Sequence, residues 1–214
     1  MGLDLEPKDD EFSHGPGSRW PSVSPTDPRW FERYWLNIQD STGRGVLGQG
    51  IGVYPNRNTM DAFVIYVTEE GQRNIRASVS GLPKGRTLQV GPLRAEILVP
   101  LKKWRFTCDA SDLDFSYDLV FESEFTPTLH VLPHGDPNVV GTLPIRWHTF
   151  AQAGKATGEL KDGCIAGNFG GWAGRDRSWG VRPGIGGPGE MEWLEVFQKH
   201  QWGFLLYWVL FTTP

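Results

Sequence analysis

The chain has 214 residues, of which 39% are hydrophobic and 21% charged, a balance that predicts a packed core rather than disorder and gives room for one large β domain. Lys and Arg number 21 against 25 Asp and Glu, a net charge of −4, which argues against a nucleic-acid partner, since that needs a cationic surface. Ten Trp and 12 Phe beside 27 Gly and 16 Pro combine flat side chains with many turns and point to an all-β fold.

Met1 to Pro28 is polar and rich in Pro, Ser, Gly and Asp, and is expected to be an extended arm without regular structure. It opens MGLDLEPKDDEF, acidic and without an apolar stretch of the signal-peptide kind, which leads to a cytoplasmic expectation. Trp30 to Ile38 begins the strands. Phe31, Arg33, Trp35 and Asn37 point one way, and Glu32, Tyr34, Leu36 and Ile38 the other. QDSTGRG is a hairpin signal, and VLGQGIGVYP is a glycine-studded strand, a pattern of tight bending or close packing. DAFVIYVT, IRASVS and TLQVGPLRAEILVP follow, each set off by a turn. Trp104, Phe106 and Cys108 alternate with polar neighbours, as do Phe115, Tyr117, Leu119 and Phe121.

Beyond the Pro/Gly loop His130 to Gly141, further strands are expected at Ile145 to Phe150, in ATGEL and in CIAGNFGGW. GEMEWLEVFQKHQWG could form one or two helical turns. FLLYWVLF is apolar on both faces, as in a strand covered on both sides. The longest apolar run, Trp202 to Phe211, spans ten residues, half of the ~20 that a membrane helix needs. The sum is roughly ten short strands with turns every ~8–12 residues. Such an array closes as an antiparallel barrel or stacks as a sandwich. Cys108 and Cys164, both in strand-like stretches, read as buried fillers rather than a disulfide or a zinc site.

Chemistry concentrates in GNFGGWAGRDRSWGVRP, Gly167 to Pro183. Read as a glycine-rich turn, it places Arg175 and Asp176 beside Trp172 and Trp179. Arg175 suits an anionic or carbonyl oxygen, and Asp176 suits a general base or an orienting acceptor. Trp172 and Trp179 would be the walls of an apolar pocket, with Ser178 and Arg182 as further ligand contacts. The competing reading is an Arg–Asp pair capping a barrel end under a Trp lid. Trp30, Trp35, Trp104 and Trp147 are expected in the core. His130, His134, Asp136 and His148 match no metal motif and are read as loop histidines, so no metal is expected. Glu190 and Glu192, with Glu122 and Glu124, could be paired carboxylates but border loops. Ser178 sits in no G-x-S-x-G elbow, and GIGGPG lacks the helix of a phosphate loop, so no cofactor is expected.

GRDRSWGVRP resembles the RDHSWG-x-R signature of bacterial lipocalin-like proteins of unassigned function, which are distantly similar to hydroxyneurosporene synthase, the carotenoid 1,2-hydratase. FERYWLNIQDSTGRGVLGQGIGVYPN with its following DAF strand, and LVPLKKWRFTC, are similar to the same family. Together they cover most of Trp30 to Pro183. The resemblance implies an up-and-down lipocalin-like β-barrel over residues 29–183 with an apolar interior. Residues 1–28 would be the arm, and residues 184–214 a linker and apolar strands directed at a second barrel or a homo-oligomeric interface, because the relatives look like two barrels in tandem. It further implies an apolar ligand, isoprenoid, steroid-like or aromatic, and hydratase, dehydratase or isomerase chemistry through Arg175 and Asp176. The alternatives are a non-catalytic structural barrel and a carbohydrate-binding β-sandwich. One departure stands out: Arg177 occupies the position of the signature His, and arginine cannot serve as a general base.

Overall fold

A computed structural model of the chain describes residues 5–12, 27–82, 87–131, 146–181, 189–198 and 202–211. The strands are β1 (Trp30–Asp40), β2 (Val46–Tyr54), β3 (Thr59–Thr68), β4 (Gly71–Ser80), β5 (Thr87–Val90), β6 (Leu93–Val99), β7 (Lys103–Ala110), β8 (Phe115–Ser123), β9 (Thr128–Val131), β10 (Arg146–Asp162), β11 (Ile165–Val181), β12 (Gly189–Gln198) and β13 (Trp202–Phe211). Helix among the described residues is limited to three short 3-10 turns, at Pro7–Asp10, Pro55–Arg57 and Ser111–Leu113.

One antiparallel sheet runs β4-β3-β2-β1-β11-β10-β8-β7-β6-β5, with β9 beside β10. Neighbours in this order are mostly neighbours in sequence, so the sheet is an up-and-down meander. The exceptions are β10 against β8, with the short β9 beside β10, and β1 against β11, in register from Trp30 opposite Val181 to Asp40 opposite Gly171. The latter pairing rolls the meander into a nearly closed barrel, whose seam lies where the edges of β4 and β5 meet without a ladder. The lipocalin-like all-β barrel is therefore the observed architecture, and the continuous ladder corrects the sandwich alternative. β12 and β13 form a separate two-stranded sheet. This corrects the helical reading of GEMEWLEVFQ, whose backbone is strand.

The period-2 patterns set which side chains fill the barrel. Tyr34, Leu36 and Ile38 of β1, Leu47, Ile51 and Val53 of β2, and Phe115, Tyr117, Leu119 and Phe121 of β8 are all buried in one core cluster. The interior is bridged from wall to wall. Tyr34 of β1 meets Trp104 of β7 at 4.5 Å between ring centroids, and Tyr66 of β3 meets Phe115 of β8 at 5.8 Å. The Tyr117 hydroxyl donates to Gln49 Oε1 at 2.5 Å, joining β8 to β2. The alternating glycines of β2 face outward. A Cβ at Gly48 would lie 2.9 Å from the Trp35 ring, and one at Gly50 would lie 2.6 Å from Phe63. The two rings, 5.6 Å apart and tilted 42° to one another, thus occupy the space over the glycines. Trp35, expected in the core, is on this outer face. Trp30 and Trp104 are buried as expected, while the Trp147 side chain lies outside the described residues.

The largest departure from the sequence reading is β10 and β11. Each runs 17 residues; the strand expected in CIAGNFGGW is present but does not stop there, and AGRDRSWG continues it rather than forming a glycine turn. The hairpin between them turns at Gly163, whose φ of 59° is the left-handed value that the first central position of a II′ turn requires. Cys164 sits exposed at that tip and Cys108 is buried, so only one of the two thiols is the filler expected. The expected arm is also only partly right. Within it, Leu5 to Phe12 is ordered and docks into one end of the barrel, with Asp9 and Asp10 fully buried.

Candidate functional site

Because β11 is a strand, residues 172 to 179 alternate across the barrel wall. Register fixes the sides: Arg177 lies opposite Tyr34 and Phe150, and Arg175 lies opposite Leu36 and Gln152, all on the inner face. Trp179, opposite Glu32 and His148, is inside as well. Trp172, Asp176 and Ser178 are on the outer face. The expected constellation is thus split by the sheet. Arg175 and Trp179 share the interior with Arg177, and the anticipated Arg175–Asp176 pair does not form. Arg182 lies outside the described residues.

The interior group holds two guanidinium groups that are completely removed from water. Arg175 Nη1 donates to Asp10 Oδ1 at 2.6 Å, and its Nη2 donates to Gln152 Oε1. Its Cζ stands 4.9 Å from the Trp104 ring centroid and 5.3 Å from that of Phe150. Arg177 Nη2 donates to Glu32 Oε2 and, at 3.0 Å, to the Glu11 carbonyl; Nη1 donates to the Ser178 carbonyl at 2.8 Å. Its Cζ lies 4.3 Å from Tyr34 and 5.4 Å from Trp179. Burying a charge is tolerable only when it is paired and hydrogen-bonded. Here two arginines meet two carboxylates, and aromatic faces take up the remaining guanidinium surface.

The N-terminal segment completes the group. Asp10 accepts three charge-assisted or buried bonds: from Arg175, from the Leu101 backbone N–H at 2.6 Å, and from Trp104 Nε1 at 2.8 Å. The Tyr34 hydroxyl donates to the Asp10 carbonyl at 2.6 Å. Gln152 Nε2 donates to the Leu101 carbonyl at 2.6 Å, so both backbone groups of Leu101 are held. Phe12 packs on Tyr34 with ring centroids 4.5 Å apart. Leu5 packs on the small cluster of Trp30, Phe150 and Trp179. His148 lies parallel to Trp179, 5.6 Å away and 12° from coplanar.

Burial pushes the Tyr34 hydroxyl well above its ordinary value, and the neighbouring guanidinium charges offset only part of this. Tyr34 is therefore a hydrogen-bond donor throughout the physiological range. Burial pulls Arg177 down, but Tyr34, Glu32 and Asp10 outweigh it and leave the guanidinium above its usual range.

On the outer face, Asp176 is 7% exposed and Trp172 is 37% exposed. Thr149 Oγ1 donates to Asp176 Oδ2 at 2.5 Å. Burial nonetheless raises the Asp176 carboxyl above its usual value, against the lowering effects of Thr149, Arg33 and Arg177. Lys155 lies 5.3 Å over the Trp172 ring, the arrangement of a surface cation–π contact rather than a pocket wall.

Among the described residues no group of His, Cys, Asp and Glu is arranged to hold a metal. His148 is stacked in the interior, whereas His134, Asp136 and the His130 side chain lie outside the described residues, as do the side chains of Glu190 and Glu192. Glu122 and Glu124 form surface ion pairs with Lys103 and Lys155, at 3.1 Å each. No described helix is long and apolar enough to cross a membrane.

Sequence reasoning missed Asp10, Glu32, Tyr34, Trp104 and Gln152 as site residues. One signal was available: Glu32 falls on the β1 face shared with Tyr34, Leu36 and Ile38, and a carboxylate on an apolar face calls for a buried cation. Nothing local marks Asp10.

The profile of one family matches residues 7–209, which takes in every strand from β1 to β12 and most of β13. The chain belongs to this family of unknown function, DUF8625. No curated protein matches this family member. Its fold is similar to that of a Nitrosomonas europaea protein provisionally assigned as AttH, with a TM-score of 0.55 at 13% identity, covering 81% of this chain and 62% of the other. It is also similar to kievitone hydratase from Nectria haematococca, with a TM-score of 0.51 at 12% identity, covering 85% of this chain and 58% of the hydratase. The chain therefore spans less than two thirds of either solved structure, and the likeness is one of fold.

Proposed function

We propose that the barrel binds a ring-bearing apolar small molecule at the end lined by Arg175, Arg177, Trp179 and His148, and that it serves hydration, dehydration or isomerisation of that ligand. The observation carrying this reading is the pair of arginines on the inner face, each sandwiched by aromatic rings at 4.3–5.6 Å. A flat ligand would exchange for such rings while a guanidinium or the Tyr34 hydroxyl takes its carbonyl or hydroxyl oxygen. The similarity to a hydratase in fold supports the reaction class by analogy.

The proton carrier in this reading is His148, since arginine stays charged and Asp176 stands behind the wall. For hydration, the protonated imidazole gives its proton to one alkene carbon. A water oxygen bonds to the other carbon, and the proton that water sheds returns to the imidazole. Ser178 and Trp172, on the far face, make no ligand contact. Arg177, at the position of the signature His, holds charge rather than moving protons. β12 and β13 are assigned to contacts with a second barrel or a second copy.

Titrating intrinsic tryptophan fluorescence with terpenoids, steroids and aromatic compounds tests the reading. Quenching by at least one class, with turnover of that ligand seen as the gain or loss of one water, is expected. His148→Gln should keep the quenching and abolish turnover. A second reading, a purely structural barrel, is favoured by the fact that the Nη hydrogen bonds of both arginines go to groups of this chain. Absence of quenching across all three classes would decide for it.

A further inference from the structure

We infer that Leu5–Phe12 is a displaceable internal plug, and that the ligand competing with it carries a carboxylate on an aromatic ring. This rests on the reading of this barrel end as the ligand site and names its ligand class. Three donors fixed by the barrel converge on one carboxylate: Arg175 Nη1 at 2.6 Å, Leu101 N–H at 2.6 Å and Trp104 Nε1 at 2.8 Å. They come from β11, the β6–β7 turn and β7, so the cage belongs to the barrel. Only its occupant, Asp10, comes from the arm, 165 residues from Arg175 in sequence. Arg175 is 1% exposed, and its Nε has no hydrogen-bond partner among the described residues. The cage therefore has a donor that Asp10 does not use.

The plug also supplies the apolar half of such a ligand. Phe12 lies on Tyr34 and 5.6 Å from the Arg177 Cζ, and Leu5 packs with Trp179 and Phe150. A carboxylate two residues from a phenyl ring is thus presented to a guanidinium-and-indole cage beside stacked aromatics. The segment has one 3-10 turn of four residues as its regular structure and pairs with no strand. The bonds of the Asp10 carboxylate and the packing of Phe12 and Leu5 are the part of its hold that an aryl acid would replace.

The probe is 2-naphthoate, with 2-naphthylmethanol as its neutral counterpart. Lys8 lies in the plug with its side chain exposed, so release of residues 1–8 by a lysine-specific protease, followed by mass spectrometry, reports undocking in the intact chain. Saturating naphthoate should speed this cleavage about tenfold, and the alcohol should leave it unchanged. In the full chain carrying Asp10→Ala, naphthoate should bind about tenfold more tightly than in wild type, whereas the affinity for the alcohol should stay within twofold. Cleavage at Lys8 that is indifferent to naphthoate, or equal gains for acid and alcohol, would overturn the plug. Should terpenoids or steroids still quench fluorescence in that case, the ligand site stands without it. The wild-type cleavage measurement decides even if Asp10→Ala does not fold.

Discussion

Arg177 and Glu32 meet inside the barrel with no access to water on the Arg177 side. Losing one member of such a pair strands the other charge in a medium that cannot solvate it. Arg177→Met should therefore cost about 3–5 kcal/mol, read from urea unfolding. Arg177→Met with Glu32→Leu should recover most of that loss, because an apolar pair removes both desolvation costs. Asp176 poses a different question, of sign. Its folded carboxyl titrates above the unfolded value, so the native state binds more protons than the unfolded one between the two. Stability contributed by its neutral form is complete below the unfolded value near pH 3.8 and is lost as pH rises through the raised folded value. Asp176→Asn keeps an acceptor for Thr149 and removes the charge. Its melting temperature at pH 7 should equal or exceed that of wild type, and the fall in stability between weakly acid and neutral pH should shrink. A lower melting temperature at pH 7 with an unchanged pH profile would show that the carboxylate is held charged.

At the level of strands and turns, the glycines of β10 and β11 are places where backbones close on one another. A Cβ at Gly158 would collide with the Asp118 carbonyl oxygen of β8, and one at Gly154 with that of Glu122. Gly158→Ala should separate β8 from β10 and cost about 1–3 kcal/mol, seen as a lower urea midpoint with the slope unchanged. Gly158 was read correctly within the ATGEL strand, whereas Gly174 and Gly180, flanking Arg175 to Trp179, misled the sequence reading. A glycine-rich string signals either a turn or a strand under close approach, and the choice depends on a neighbour far away in sequence. The β1–β2 turn was legible for a local reason. Asp40 accepts from Thr42 N–H at 3.1 Å, Arg44 N–H at 3.2 Å and, across to β11, Gly170 N–H at 2.9 Å. These donors outweigh burial and hold the Asp40 carboxyl below its usual value. Its contribution is thus present above the unfolded value and fades as pH falls through the lowered one.

At the scale of the molecule, the barrel ladder among the described residues is continuous except at one seam. β10 and β11 are the longest strands and are paired on both edges, whereas β4 and β5 each have one open edge. Amide exchange in native conditions should accordingly be slowest in Gly154 to Leu160, paired with both β8 and β11, and in Ala173 to Arg177, paired with both β1 and β10, and fastest in β4 and β5, where the seam can part without unrolling the barrel. Equal protection around the ring would mean that the seam is closed by bonds of its own. The N-terminal segment bonds to β1, β7 and β11, none of which borders that seam.

The alternation of Phe115 to Phe121, the hairpin signals and the aromatic-rich, glycine-rich composition were sufficient to read an antiparallel all-β array, because a strand's period and a turn's backbone chemistry are written over a few adjacent residues; barrel against sandwich was left open by them, and the barrel was implied only by the family resemblance. Parity alone could also have set Arg175 and Asp176 on opposite faces, once the stretch was known to be extended. That it is extended depends on β1 and β10 flanking it on both edges, and these bonds reach across more than a hundred residues in one case. The same distance hid Asp10. A carboxylate in an acidic leading segment looks solvated until a guanidinium, an indole and one backbone N–H, gathered from three separate strands and turns, make burial cheaper than water.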